Sequence, residues 1–137
     1  ARVTRPGGTV ALCMWDLHEG GMTMLRTFWT SVHEVAPGAG GEAQRAGTAR
    51  GDIADRLRRA GLEHVTDGEL TARAEYTGFD DFWDPFTLAV GPAGQFLRTL
   101  DEPLQTAVRE GCRAKLPADG PFALDARAWF ARGTVPG

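Results

Sequence analysis

The feature that most constrains the fold is an uninterrupted apolar run, Thr9–Trp15, which follows a Pro-Gly-Gly turn at residues 6–8. A strand with one solvated face alternates apolar and polar residues, whereas a strand covered on both faces is apolar throughout. The run therefore predicts a central strand of a parallel sheet in an α/β protein. The loop that follows, residues 16–21, is then expected at the carboxyl end of the strand, where open α/β sheets bind ligands.

Spacing patterns predict further helices and strands along the rest of the chain. Apolar residues three and four positions apart indicate helices over residues 22–35, 53–60, 79–90 and 101–116. Alternation of apolar and polar residues indicates strands over residues 63–77 and 122–130. Asp52 is the predicted N-cap of the second helix, and Gly61 is its predicted left-handed terminator.

Two stretches are open to more than one interpretation. The Asp67-Gly68 pair interrupts the alternation of residues 63–77 and indicates either a tight hairpin or a bulge within a single strand, and we prefer the bulged strand. Residues 37–51 are rich in glycine and alanine and contain no large apolar side chain, so they are predicted to form a mobile surface segment.

Composition narrows the class of protein. A chain of 137 residues suits one globular domain. Its net charge of −3, without a clustered basic stripe, argues against nucleic acid. No segment approaches the about 18 consecutive apolar residues of a membrane span, so we expect no membrane association and a cytoplasmic location. The 2 cysteines and 3 histidines are not spaced as metal ligands, and we expect no metal.

Two motifs resemble the late part of class I S-adenosylmethionine-dependent methyltransferases. Residues 2–8, Arg-Val-Thr-Arg-Pro-Gly-Gly, are similar to the turn that feeds the family's fifth strand. Residues 57–65, Leu-Arg-Arg-Ala-Gly-Leu-Glu-His-Val, are similar to the connection between a helix and the sixth strand. The resemblance covers the whole chain but only the C-terminal half of the Rossmann-like family domain. It implies a single-domain fragment over residues 1–137.

From the resemblance, the three strands are the fifth, sixth and seventh of a mixed sheet, in spatial order 5-7-6 with the seventh antiparallel. Residues 79–116 form a helical insert between strands six and seven, over the substrate side. The intact parent is expected to transfer a methyl group from S-adenosylmethionine to a small organic acceptor.

The cofactor contacts of the family lie in the other half of the domain. They include a Gly-rich loop after the first strand and an acidic residue after the second. The glycines at residues 38–41 follow a predicted helix instead of a strand, so they do not match that loop. We therefore expect an N-terminal portion outside this chain, no tight binding of S-adenosylmethionine by the chain alone, and no activity of the fragment.

The resemblance places several residues near the acceptor. His18 follows the first strand and is the candidate general base, although a histidine in a polar loop is more often simply solvent-facing. Trp15 and Asp16 end that strand and line the expected cavity, or are instead core and turn residues. An aromatic pocket for the acceptor, with ordinary core packing as its alternative, would contain Phe28, Trp29, Phe82, Trp83 and Phe86.

An apolar strand with one neighbour within the chain should leave an open edge. We expect either a homodimer or a companion chain segment along Thr9–Trp15. The alternative function is a noncatalytic interaction module, or truncated remnant, that uses this edge. A third alternative is a different Rossmann-like enzyme whose cofactor half is absent.

Overall fold

A computed structural model describes residues 3–137, so Arg2 of the turn motif lies outside the described residues. In chain order the elements are β1 (Thr9–Trp15), α1 (Thr23–Val35), α2 (Asp52–Arg59), β2 (Glu63–Tyr76), α3 (Phe79–Thr87), α4 (Gly91–Leu97), α5 (Glu102–Ala114) and β3 (Phe122–Thr134). The prediction of a mixed α/β chain is confirmed. Among the described helices, none has the length and apolar character needed to cross a membrane.

The three strands form one sheet in the order β1-β3-β2. β3 runs antiparallel to β1, with Thr9 opposite Thr134 and Trp15 opposite Ala128. The prediction that β1 is central and covered on both faces is wrong for this chain. Within the described residues β1 pairs with β3 alone, and most of its side chains are exposed.

Residues 63–76 form one continuous strand, so the single-strand interpretation is confirmed and the hairpin alternative is wrong. β2 is antiparallel to β3, because Arg132 bonds Thr66 near one end of the pair while Tyr76 stacks on Phe122 at the other. Gly68 lies against the ring of Phe130, where an added Cβ would come within 2.8 Å of the ring. The position therefore favours glycine because the backbone approaches an aromatic side chain.

The chain folds into two compact units. The first consists of the described residues up to 22 together with residues 43–72 and 126–137. The second consists of residues 23–42 and 73–125. The single-domain assignment stays a prediction.

The first unit buries one face of α2 against the sheet. Leu57 lies four positions after Ile53 and three after Ala54, and all three side chains pack with Trp129 and Ala131 of β3. The spacing predicts a helical face of Ile53, Leu57 and Ala60. The first two are buried as expected, whereas Ala60 is exposed and Ala54 is buried instead.

The ends of α2 differ from expectation at one position. The N-cap is Gly51, at φ 78°, and Asp52 is the first helical residue. Asp52 accepts the backbone N–H of Gly47 and pairs with Arg56 at 3.0 Å. The predicted terminator is confirmed, because Gly61 has φ 80°. The Asp52 carboxylate therefore binds the preceding loop and Arg56 instead of capping the first backbone N–H groups of α2.

The segment before α2 has neither helix nor strand, as expected, but it is not purely surface. Thr48 is 1% exposed. Its hydroxyl hydrogen is shared between the carbonyls of Ala43 and Arg45, which lie 2.9 and 2.8 Å from Oγ1. The buried Thr48 side chain thus stabilises the turn formed by residues 43–48.

The second unit has an aromatic core between α1, α3, α4 and α5. Phe28, Val32, Phe82 and Val108 are fully buried there. α4 was not separately predicted, because it has only 7 residues and contains two glycines and a proline. Such a short segment cannot display a helical period.

Candidate functional site

The loop after β1 is built around the carboxylate of Asp16, which has no solvent exposure. Its Oδ1 accepts a hydrogen bond from the backbone N–H of Glu19 at 2.9 Å, and its Oδ2 accepts one from the N–H of Gly21 at 3.0 Å. These bonds wrap residues 16–21 around the carboxylate. A buried charge also needs an opposite charge.

Arg127 of β3 supplies that charge. Its Nε and Nη2 donate to Asp16 Oδ2 at 2.9 and 2.6 Å, and Nη2 also donates to Glu19 at 3.1 Å. The backbones are joined as well, because the N–H of Asp16 donates to the carbonyl of Arg127 at 2.9 Å. An added Cβ at Gly21 would lie 2.4 Å from Asp16 Oδ2, so this position requires glycine. We call this arrangement of Asp16, Glu19, Gly21 and Arg127 the loop anchor.

The loop anchor sets the protonation of its members. Burial by itself raises the pKa of Asp16, but the hydrogen bonds from Arg127, Glu19 and Gly21 outweigh burial and leave that pKa below its ordinary value. The hydrogen bond to Asp16 in turn raises the pKa of Arg127. Asp16 is therefore ionised at neutral pH with both oxygens engaged. This geometry favours the turn-forming alternative for Asp16 over direct contact with an acceptor.

A tryptophan and a second arginine adjoin the loop anchor. The guanidinium carbon of Arg50 lies 4.3 Å from the ring centroid of Trp129, and that of Arg127 lies 4.7 Å from it. Arg50 also approaches Glu19 at 3.8 Å and Glu69 at 3.7 Å. The Trp129 Nε1 group has no hydrogen-bond partner among residues 3–137.

Sequence reasoning assigned no role to Arg50, Arg127 or Trp129. The available signal was the alternation in β3, which places Arg127 and Trp129 on one face. An arginine and a tryptophan side by side on a strand suggest a cation–π contact. The carboxylate partner lies 111 residues away in the chain and carries no local signal.

His18 lies in the same loop and is exposed. Within the described part of the chain it makes no hydrogen bond or ion pair. Nothing in the loop therefore orients the imidazole, and its role as general base stays a prediction.

Trp15 is 42% exposed and lines an apolar groove of about 440 Å³ beside β1. Leu70 of β2, 52% exposed, and Ala128 of β3 lie in the same groove. The groove contains no charged residue. Trp15 is thus neither core nor fully solvated, and it borders an unfilled apolar surface.

The other predicted acceptor residues belong to the second unit. The structure brings Phe28, Phe82, Trp83 and Phe86 together in its core, all of them buried, and Phe28 stacks on Phe86 with centroids 4.5 Å apart. Trp29 packs at the margin and donates its Nε1–H to Glu42 at 3.0 Å. These rings fill space with one another, which favours the core alternative. Their contact with an acceptor stays a prediction.

The glycines at residues 38–41 follow α1 and precede neither a strand nor the first turn of a helix. They cannot present successive N–H groups to a ligand at a helix N-terminus as a nucleotide-binding loop does. Residues 3–137 also contain no group of three or more histidine, cysteine, aspartate or glutamate side chains placed to hold a metal ion.

No protein-family model matches the chain, and no curated protein matches it. Family assignment therefore depends on the residues and the topology described above.

Proposed function

We propose that this chain is the C-terminal part of a class I S-adenosylmethionine-dependent methyltransferase domain, and that the intact domain methylates a small organic acceptor. The observation that carries the proposal is the strand order β1-β3-β2, in which the last strand lies antiparallel beside the first. The resemblance expects this order for the family's fifth, seventh and sixth strands. Strand order is independent of the two sequence motifs, so it adds support to them.

The free edge of β1 supports the same proposal. β1 has the composition of a strand covered on both faces, yet Leu12 and Met14 are 50% and 38% exposed. A sheet that continued past β1, with helices on both faces, would bury these side chains. The mismatch between composition and exposure is what a domain divided at this strand should display.

The residues of this chain do not fit the cofactor. The glycines at residues 38–41 follow α1, so they lack the strand-loop-helix context of the family's cofactor loop. The proposal therefore assigns all cofactor contacts to residues outside this chain. It leaves the acceptor side to this chain.

On the acceptor side, the loop anchor gives residues 16–21 a fixed path at the carboxyl end of β1. Ligands bind at such strand ends in α/β sheets. His18 is the residue in this loop that can take a proton from an acceptor, because imidazole is the commonest general base in enzymes. Trp15, the last residue of β1, offers an exposed apolar surface.

The test compares two polypeptides. Calorimetric titration of residues 1–137 with S-adenosylmethionine should give no saturable heat at micromolar protein. A polypeptide extended by the reading frame upstream of Ala1 should bind the cofactor and methylate an acceptor, and His18→Asn in it should lower kcat while leaving cofactor affinity unchanged. Submicromolar binding by residues 1–137, or no binding by the extended polypeptide, would overturn the proposal.

The exposed edge of β1 favours a second candidate, a noncatalytic interaction module. In that case the extended polypeptide would neither bind the cofactor nor methylate, and association through β1 would be the function of the chain.

A further inference from the structure

The two edges of the sheet are protected unequally. β2, at one edge, contains five charged residues: Glu63, Asp67, Glu69, Arg73 and Glu75. β1, at the other edge, contains none in seven residues. Charged side chains and prolines are the usual means by which proteins prevent pairing between sheet edges. β1 lacks both, so its edge is open to another strand while that of β2 is guarded.

Hydrogen bonds at the two ends of β1 show which backbone groups are free. The N–H of Asp16 donates to Arg127, and the carbonyl of Gly8 accepts from Val135. In an antiparallel strand the backbone N–H and carbonyl groups of every second residue face the same neighbouring strand. Since Gly8 and Asp16 both bond the β3 side, the backbone groups of residues 10, 12 and 14 also point toward β3. The N–H and carbonyl groups of residues 9, 11, 13 and 15 therefore point outward, and no other described segment pairs with them.

The side chains beside this edge specify what can pair with it. Leu12, Met14 and Trp15 are all exposed, and by alternation Trp15 lies on the face opposite the other two. Met14 and Trp15 both border the apolar groove. A partner must bring an extended backbone together with uncharged apolar side chains on both of its faces. β1 itself, Thr-Val-Ala-Leu-Cys-Met-Trp, has this chemistry.

We propose that two copies of this chain associate by antiparallel pairing of β1 with β1. The register that overlaps all seven residues has its two-fold axis at Leu12. It places Leu12 opposite Leu12 of the partner subunit, at a position where directly opposed Cα atoms are about 4.5 Å apart. Trp15 then lies opposite Thr9 of the partner subunit, a large side chain against a small one at each end.

Electrostatic repulsion does not oppose this pairing, because β1 contains no charged residue. The net charge of −3 lies elsewhere in the chain. A seven-residue strand is about 24 Å long. The accessible surface buried by the dimer is therefore small for a specific protein–protein interface, about 1,000 Å². We therefore expect a reversible dimer with a micromolar dissociation constant. The guarded edge of β2 prevents the pair from growing into a filament.

Sedimentation equilibrium across the micromolar range tests the dimer. The mass should rise with concentration from 14.7 kDa to twice that value. Leu12→Lys and Leu12→Asp should each weaken association by about tenfold or more, because they place like charges face to face on the two-fold axis. An equimolar mixture of the two variants should dimerise again. Ala74→Lys, at an exposed position of β2, is the matched control and should dimerise like the wild type.

Disulfide trapping tests the register. In a Cys13→Ser background, Leu12→Cys should form a covalent dimer under diamide, whereas Ala74→Cys should not. Circular dichroism checks that each variant is folded. A mass of 14.7 kDa at every concentration, dimers unaffected by the charge variants, or equal trapping at both positions would overturn the inference.

This inference does not depend on methyl transfer. A monomeric chain would overturn it and leave the proposed function standing, whereas an extended polypeptide that fails to bind the cofactor would do the reverse. An extended polypeptide that supplies its own strand beside β1 should lose the association.

Discussion

Replacing Asp16 with asparagine tests whether the buried carboxylate holds the loop after β1. Asparagine keeps the shape but has one acceptor oxygen, whereas the two oxygens of Asp16 accept from different donors: Glu19 on Oδ1, and Gly21 with Arg127 on Oδ2. Whichever way the amide turns, its NH₂ group faces an N–H group. Losing one hydrogen bond to a charged acceptor, while the others weaken, should lower the free energy of unfolding by about 2–3 kcal/mol.

Urea and thermal unfolding, followed by tryptophan fluorescence and circular dichroism, measure this change. For a chain of this length the loss corresponds to a fall in Tm of about 6–12 °C. Asp125→Asn is the matched control, because Asp125 pairs with Arg73 at 3.3 Å with both side chains largely exposed, 77% and 66%. Exposed pairs of this kind contribute about 0–1 kcal/mol.

Acid should remove the difference between wild type and Asp16→Asn. The pKa of Asp16 is lower in the folded chain than its ordinary value, so its stabilisation is present above the unfolded pKa of about 4 and is lost as pH falls through the folded pKa. The gap should therefore be widest near neutral pH and shrink below about pH 4. An Asp16→Asn variant as stable as the control at neutral pH, or a gap that widens in acid, would refute the reasoning.

Two further outcomes test the packing of the second unit. Gly94→Ala should destabilise by about 1–3 kcal/mol, because its Cβ would lie 2.8 Å from the backbone carbonyl of Phe86; Gly38→Ala, with nothing within 4 Å, is the control and should be nearly neutral by the same unfolding assay. In a titration with Ellman's reagent, exposed Cys13 should react at once, whereas Cys112, which is fully buried and whose thiol pKa is raised by burial, should react only on unfolding; equal rates for the two thiols would contradict this burial.

The parts of the fold that the sequence predicted are those governed by local patterns. The apolar run located β1, and the three-and-four spacing located α1 and two of the buried residues of α2, Ile53 and Leu57. α4 was missed because its glycine-containing sequence reflects a tertiary contact instead of a helical pattern. Gly94 allows the backbone of α4 to pack closely against the backbone of Phe86 and Ala89. A single sequence gives no information about such a contact.

The site divides in the same way. Residues 16–21 were expected at a strand end from the pattern alone, but the interaction that fixes them joins Asp16 to a residue 111 positions later. Asp16 and Arg127 lie next to each other only because of the register in which β1 pairs with β3. Arg127 carried a local hint in its place beside Trp129. The position of Arg127 beside Trp129 predicts a cation on one face of the sheet, but it does not identify Asp16 as the carboxylate that binds it.

Neighbouring residues at the end of β1 use opposite sides of the backbone. The N–H of Asp16 points inward to Arg127, and by alternation the backbone of Trp15 points outward to the free edge. Leu12 and Asp16 are four residues apart, about 13 Å along an extended strand, and changes that far apart usually act independently. Pairing at the edge therefore leaves the loop anchor intact, and weakening the loop anchor leaves the edge free to pair. A strand added beside β1 would end next to Trp15 and bring its own side chains to the groove that borders the candidate site.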